Sequence, residues 1–525
     1  MLCAAQQAAG APAPASSNAA PPKLVKIDPR TLPRLGEIDA RYQSYNIEMV
    51  EVTGGRFWKP YDSVANTPPA GGNQPAGNQP AGMSDALYEY RPPIDLTNAR
   101  LRKLATALGP AYLRVSGTWA NTTWLQSGRG PVPSAPPAGF KGILTRDEWK
   151  GVVSFAKAVD AGIVTSFAVS DGTRDAKGVW TPAQAHELLA LTRSAGGSIA
   201  AAEFMNEPTF PQIGGAPKDY DAAAFARDLI VFHSFLHVAS PKTLFLGPGG
   251  VGEGSALLQA PMKTLKSSDL LAATGPVFDG FSFHVYGAVS ARCGGPGGKK
   301  DFAIESTLSE NWLQSGAQSE QIYEAMRDEL EPGKPLWLTE TAEAACGGDR
   351  WASTFADTFR YLNQLGAFAN RGVQVHLHNT LAASDYGLLD EKTYEPRPDY
   401  WAALLWHKLM GTTVLEAGAG AGDGLHVYAH CLPKHRGGVS LLVIISDTKN
   451  GRTIDLPVAS DRYTLIAPNL MSTKLDLNGA ELKLGENDAL PLLDGSSNPA
   501  GAIALPPESI SFFEIPGAKN ASCMP

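Results

Sequence analysis

Two carboxylates in this chain stand where apolar runs end. Residues 201–210 read AAEFMNEPTF and carry Glu207 behind Asn206 and ahead of Pro208; residues 335–340 read PLWLTE and close on Glu340. Two carboxyl groups brought to one place suit cleavage of a glycosidic bond. One acid protonates the leaving oxygen while a second carboxylate attacks or stabilises the oxocarbenium-like centre. Their surroundings must tune them apart, the acid keeping its proton near the working pH and the nucleophile staying ionised. Asn206 would face the sugar 2-hydroxyl, where a hydrogen bond strengthens in the transition state. Taken singly, a glutamate at a strand end is ordinarily a helix cap. The joint pattern is what points to chemistry.

Such a pair needs a frame that presents both groups at one mouth. Strand-like runs fall at 41–48, 111–117, 164–170, 201–206, 243–248, 281–286, 335–340 and 373–379. Between them lie stretches such as NARLRKLATAL and RDEWKGVVSFAKAVDA, with apolar residues at helical spacing. Eight strand–helix units predict a (β/α)8 TIM barrel, and no glycine-rich dinucleotide fingerprint follows the first strand. Chemistry in such a barrel gathers at the C-terminal strand ends, which places Glu207 on strand four and Glu340 on strand seven. Beyond residue 411 the period changes to two, as in GLHVYAHCL and VSLLVIISD, and predicts an appended C-terminal β-sandwich. The segment 21–29, PPKLVKIDP, is strand-like and returns to complete that sandwich. The expected division is therefore a disordered tether at 1–20, a returning strand at 21–36, the barrel at 37–410 and the sandwich at 411–525. The duplication GNQPAGNQPAG at 72–82 reads as a loop.

Composition narrows the function. With 44 basic against 52 acidic residues in 525, the net charge of −8 argues against a general nucleic-acid binder. No run of about 18 apolar residues predicts a transmembrane helix. The Ala/Pro/Ser-rich start reads as the mature side of an exported protein, with Cys3 either a lipid-attachment site or a leftover. Five cysteines leave one odd, and the other four fall in glycine-rich loops or near the ends of the last domain, which favours an oxidising compartment. Cys293 and Cys346 could bridge and brace the barrel rim. No CxxC or Cys/His cluster calls for zinc, and no cofactor is expected. His376 and His378 share a strand face without a third ligand, and His233 and His237 lie one helical turn apart without an HExxH glutamate. His284 and Tyr286 alternate with Phe283 and Val285, so both face one side of strand six.

At this point the chain resembles glycoside hydrolase family 79, the heparanase-like β-glucuronidases. The resemblance rests on IDLTNARLRKLATALGPAYLRVSGT (94–118), the Asn206-Glu207-Pro208 triplet, WLTET (337–341), ACGGD (345–349), RPDYWAALLWHKLMG (397–411) and LPPESISFFEI (505–515). It implies a retaining mechanism with Glu207 as acid/base and Glu340 as nucleophile. It also implies Glu48 as a substrate-contacting acid on strand one and Tyr286 as the nucleophile's hydrogen-bond partner. His284 and Asn379 join the substrate-binding set, with a satisfied core histidine as the other reading of His284. Tyr386 with the N–H groups of Gly347 and Gly348 would hold the uronic carboxylate, since such donors bind an anion without a cation beside the nucleophile. The loop TAEAACGGD lacks the aromatic and the third glycine of the family pattern, so which N–H groups act stays open. Cys431 and Cys523 match a disulfide position in the family's sandwich. The short connection after strand two implies an active single chain without an excised linker.

The implied substrate is a glycosaminoglycan such as heparan sulfate, or a smaller glucuronide, bound by a monomer. Endo cleavage would need basic flanks, for which Arg292, Lys299, Lys300, Arg174 and Lys177 are candidates, solvated loop charges being the other reading of all five. The alternatives are an exo-β-glucuronidase closed at one end by the 72–82 loop, and a non-catalytic glycan-binding protein, against which the retention of both glutamates argues.

Overall fold

A computed structural model describes residues 23–61, 84–254, 263–293, 303–418 and 422–524. The 1–20 segment with Cys3, the 72–82 duplication, Lys299 and Lys300 lie outside the described residues.

Eight parallel strands close into a barrel in chain order: β1 (Gln43–Glu48), β2 (Ala111–Ser116), β3 (Ala161–Thr165), β4 (Ile199–Glu203), β5 (Leu244–Val251), β6 (Gly280–Val289), β7 (Leu336–Ala345) and β8 (Val373–His378). A helix follows each: α1 (Ala99–Ala107), α2 (Arg146–Ala158), α3 (Ala183–Ser194), α4 (Ala222–Ala239), α5 (Ser267–Thr274), α6 (Glu310–Leu330), α7 (Phe355–Asn370) and α8 (Pro398–Leu409). Seven of the predicted runs land on these strands, while the third, expected at 164–170, is displaced: β3 runs Ala161–Thr165 and shares only its last two residues with the expectation. Two further shifts lie at the functional end. β4 stops at Glu203, so Asn206 and Glu207 lie on the loop beyond it, and β7 continues past Glu340 to Ala345.

Alternation along the strands sorts side chains between two environments. Tyr112, Ala201, Leu246, Trp337, Val375 and Leu377 fill the lower barrel interior, with the Tyr112 and Trp337 rings 4.8 Å apart. Their neighbours Leu113, Val115, Phe283, Leu336 and Leu338 pack outward against the helices. Above the apolar layer the interior turns polar, with Arg114, Glu203 and Thr339.

One irregularity places the second carboxylate. Phe283 pairs with Leu338, yet the next residue, His284, pairs with Glu340 and skips Thr339. Strict alternation would turn Glu340 outward beside Leu336 and Leu338. The extra residue is a β-bulge, a device that re-aims a side chain, and here Thr339 and Glu340 both reach the interior.

Beyond two small two-stranded sheets (Gly55–Trp58 with Tyr88–Arg91, and Thr123–Gln126 with Gly142–Thr145), the remaining described strands form a nine-stranded sheet, running from Arg34–Glu37 through Leu425–Cys431, Val439–Ile445 and Ser509–Ile515, and a three-stranded sheet. In the latter, Lys23–Lys26 pairs in parallel with Arg452–Leu456. Val427, Leu441, Val443, Ile454, Ile503 and Phe513 are buried between the two sheets. The other face of the large sheet packs on the barrel through Tyr428, Leu442 and Phe512, and the Tyr428 hydroxyl donates to Asn363 at 2.7 Å. Disulfides join Cys431 to Cys523 and Cys293 to Cys346. Helix α4, at a mean hydropathy of 1.3, is long and apolar enough to cross a membrane by composition, but Phe225, Leu229, Phe232 and Leu236 bury into the barrel core.

Candidate active site

Arg114 sits at the centre of the site, its side chain 1% exposed. Its Nε donates to Glu203 Oε2 at 2.9 Å, Nη1 to Glu340 Oε2 at 2.9 Å and Nη2 to Asn206 Oδ1 at 2.7 Å. A guanidinium is a rigid fork of donors that cannot give up its charge in a protein, so it fixes three acceptors in one plane. Burial opposes the charge, but Glu203, Glu340 and Glu48 more than compensate and raise its pKa. Glu203 in turn is pushed up by burial and pulled down further by Arg114 and His284, ending below the usual carboxylate range.

Arg114 also sets the tautomer of His284. Its Nη2 lies 3.3 Å from His284 Nε2, and a guanidinium can only donate, so Nε2 accepts. Burial holds the imidazole pKa down at about 4, which keeps the ring neutral and puts its one proton on Nδ1. Nδ1 then donates to Glu207 Oε1 at 3.0 Å. The other Glu207 oxygen is left to carry and deliver a proton.

Glu207 is held by backbone as well as by side chains. Asn121 clamps the preceding residue, accepting from Asn206 N at 2.8 Å and donating to Asn206 O at 2.9 Å. Glu207 itself adopts φ of +48°, a left-handed conformation uncommon outside glycine and frequent at functional sites. Its side chain stays 20% exposed, against 7% for Glu340. Burial pushes the Glu207 carboxyl up to about 7, with Arg114 opposing and Glu203 adding to the rise.

Glu340 is gripped on both oxygens, for the Tyr286 hydroxyl donates to Oε1 at 2.5 Å while Arg114 holds Oε2. Glu207, His284 and Glu340 bring one ligating atom each within 4.8 Å of one another. Around them, Asn379 Nδ2 donates to Glu48 Oε1 at 3.1 Å and lies 3.2 Å from the hydroxyls of Tyr286 and Tyr386. Burial raises the Glu48 carboxyl well above the usual range, and the nearby Glu340 charge adds to it. Close approach here requires Gly117, since a Cβ at that position would lie 1.4 Å from Glu48 Oε2. Glu48 Oε2 and Asn379 Oδ1 are buried without a hydrogen-bond partner among the described residues.

Gly347 and Gly348 follow β7 with φ of +82° and +89°. A Cβ on Gly348 would meet Glu343 Oε1 at 2.8 Å and the Tyr386 ring at 3.3 Å, so the loop lies directly against Tyr386. The structure thus brings Glu48, Asn206, Glu207, His284, Tyr286, Glu340, Asn379 and Tyr386 into one connected set, with the Gly347–Gly348 loop at its edge.

Other sequence candidates lie elsewhere. His376 and His378 face outward against Tyr361, and burial lowers both pKa values, to about 4 for His378. His378 Nε2 lies 2.8 Å from the Tyr386 carbonyl, a supporting contact. His233 stacks on Phe245. The expected basic flank needs correction: Arg174 pairs with the buried Asp228 at 2.6 Å, and the Arg292 side chain, 1% exposed, pairs with Asp385. Neither guanidinium faces solvent, whereas Lys177 does. A cleft of about 580 Å³ beside Asp385 carries Arg350, Arg397, Lys474 and Lys483, but as many acidic side chains line it.

Arg114, Glu203 and Asn121 are functional neighbours that the sequence reading missed. The available signal for Arg114 was a charge in the middle of an apolar strand, AYLRVS.

Residues 93–366 match the family model described as glycosyl hydrolase family 79, N-terminal domain. The chain is 28% identical over 488 residues to heparanase of Bos taurus, covering 82% of this chain and 86% of that protein. It is 31% identical over 246 residues to baicalin-beta-D-glucuronidase of Scutellaria baicalensis, covering 45% of each. Among solved structures, a 4-O-alpha-L-rhamnosyl-beta-D-glucuronidase of Fusarium oxysporum superposes with a TM-score of 0.61 at 14% identity, over 94% of this chain and 100% of that one. That last likeness speaks for the fold alone.

Proposed function

The chain belongs to glycosyl hydrolase family 79, and from that premise we propose that this glycoside hydrolase is a retaining β-glucuronidase of heparanase type. It hydrolyses glucuronic acid linkages in heparan sulfate-like glycosaminoglycans. The observation that carries the reading is the close approach of the two carboxylates. One oxygen of each lies within 4.8 Å of the other, and His284 Nδ1 is 3.0 Å from Glu207 Oε1 and 3.8 Å from Glu340 Oε2, an approach that favours the shorter of the two known separations. Retaining enzymes hold their carboxyl groups about 5–5.5 Å apart, whereas inverting ones leave roughly 6.5–9.5 Å for a water.

In the first step Glu207 gives its proton to the glycosidic oxygen while Glu340 Oε1 or Oε2 attacks the anomeric carbon. The bond to the leaving group breaks and a glycosyl ester on Glu340 forms. In the second step Glu207, now ionised, takes a proton from water as that water displaces the ester. His284 orients Glu207 throughout; Arg114 and Tyr286 orient Glu340. Asn206 offers Nδ2 to the 2-hydroxyl because its Oδ1 is already engaged by Arg114. Glu48 and Asn379 take further sugar hydroxyls, while Tyr386, Gly347 and Gly348 receive the carboxylate. Glu207, His284 and Glu340 have metal-like spacing, but Arg114 already sets a full positive charge against Glu340 and beside His284, so we assign them to acid/base work. Residues 37–410 carry the reaction, with residues 411–525 supporting the outer wall of α7.

An exo mode is the second reading, favoured by the internal engagement of Arg292 and Arg174 that removes two of the flanking cations an open cleft would use. Size-resolved products from heparan sulfate, run beside a chromogenic β-glucuronide with Glu340→Gln as blank, separate the two modes. Early loss of chain length is expected for endo action, and release of single glucuronate from nearly intact polymer for exo action. No turnover of either substrate would refute the glucuronidase reading.

A further inference from the structure

Arg292 was expected at the surface as a contact for an anionic substrate, yet it is enclosed by four loops of the barrel mouth. Its Nη1 donates to the carbonyl of Lys59 after β1, and its Nη2 to the carbonyl of Gly348 after β7 at 2.9 Å and to the Asp385 carboxylate after β8. Its Nε lies 3.3 Å from Ser290 Oγ, and its guanidinium stacks 4.6 Å from the Tyr61 ring centre. Asp385 completes the connection, its own N–H donating to the Gly347 carbonyl at 3.2 Å and its carboxylate accepting from Tyr61 N at 3.0 Å.

These contacts fix two peptide planes of the glycine loop, 347–348 and 348–349. The carbonyl of Gly347 points to Asp385, so the trans N–H of Gly348 points the opposite way. The carbonyl of Gly348 points to Arg292, while the N–H of Asp349 is taken by Glu343 Oε1 at 2.8 Å. That commitment removes Asp349 and leaves the amides of Gly347 and Gly348 as the loop's donors to a ligand. Both glycines have φ above +80°, where a loop has many conformations open to it unless something holds it. The neighbouring disulfide from Cys293, the residue after Arg292, to Cys346, the residue before Gly347, ties the same two loops covalently.

We propose that Arg292 and Asp385 form a specificity clasp, a positioning pair that fixes the Gly347–Gly348 amides and Tyr386 to receive the carboxylate of a uronic acid. The inference deepens the glucuronidase reading and rests on it. The clasp acts through geometry rather than net charge, because the buried cation is matched by the half-buried Asp385. Lysine cannot replace the arginine, since an ammonium is a point donor and cannot span three acceptors as a planar fork does.

The test compares wild type, Arg292→Met, Arg292→Lys and Asp385→Asn on a chromogenic β-glucuronide, with free glucuronate as a competitive inhibitor and thermal melts to confirm folding. The expected result is a rise of about tenfold or more in both KM and the inhibition constant for glucuronate, with kcat within about threefold. Arg292→Lys should fail to restore either. Unchanged KM and glucuronate inhibition in the folded variants, or full rescue by lysine, overturns the clasp and leaves the glucuronidase reading standing. Wild type that cleaves no glucuronide overturns that reading first. Should both Arg292 variants fail to fold, Asp385→Asn carries the same comparison alone.

Discussion

Arg114 Nη1 donates to Glu340 Oε2 at 2.9 Å from a side chain that is 1% exposed. The same guanidinium holds Glu203 and Asn206, so one residue sets the spacing between Asn206, which precedes Glu207, and Glu340. Replacing Arg114 with Met would strand two buried carboxylates, a loss of about 3–5 kcal/mol in stability. Arg114→Lys should fold better but lose at least about a hundredfold in kcat, because a single ammonium cannot hold the three acceptors in register. Chemical denaturation and steady-state kinetics on the two variants check both statements.

In the proposed mechanism Glu207 sets the alkaline limb of activity. The general acid must be protonated, and burial holds this carboxyl up at about 7. Activity should therefore fall as pH rises through about 7, and the kcat/KM profile should show an apparent ionisation there. A profile flat from pH 6 to 9 would remove Glu207 from the acid role.

The same shift has a stability consequence. A carboxyl whose folded pKa lies near 7 and whose ordinary value is 4.5 binds more protons in the native state between those values. Its contribution is fully present below about pH 4.5 and is lost as pH rises through about 7. Glu207→Gln, which cannot ionise, should melt at the wild-type temperature near pH 4 and a few degrees higher at pH 8, a gain on the order of 1–2 kcal/mol.

Tyr286→Phe removes the hydroxyl that donates to Glu340 at 2.5 Å. Hydrogen bonds to charged groups are worth about 1.5–3 kcal/mol, so kcat should drop by roughly ten- to a hundredfold with little change in fold. The phenol stays protonated across the working range, since burial and the charge of Glu340 raise its pKa well above the usual value.

Much of this architecture was legible because its signals are local. Apolar runs and helices at period 3.6 leave local marks in a sequence, so seven barrel strands fell on their predicted runs, the third (Ala161–Thr165) only overlapping its expected 164–170, and Glu207 and Glu340 were singled out by the residues beside them. The hidden parts depend on three dimensions. A bulge at Thr339 leaves no mark in PLWLTE, although without it Glu340 would face the helices. Arg292 reads as a surface charge in VSARCGG, and only the convergence of four loops makes it internal. Arg114 and Glu203 looked like strand residues because their partners are 89 positions apart in sequence.

The Cys431–Cys523 bridge closes a span of 92 residues and joins the last residue of one central sandwich strand to the chain's C-terminal segment. Loop-closure arguments put such a crosslink at about 2–4 kcal/mol, so Cys431→Ser should lower the melting temperature by several degrees while leaving KM unchanged. Melting curves with and without a reductant check the assignment.

Double displacement with Glu340 as the proposed nucleophile passes through a glycosyl ester that covalent trapping can capture. A 2-deoxy-2-fluoro-β-glucuronyl fluoride, incubated with wild-type protein and followed by intact-mass and peptide mass spectrometry, should give one stable adduct on the peptide carrying Glu340. An adduct on a different carboxylate, or no adduct together with release of the α-anomer from a β-glucuronide, would contradict it.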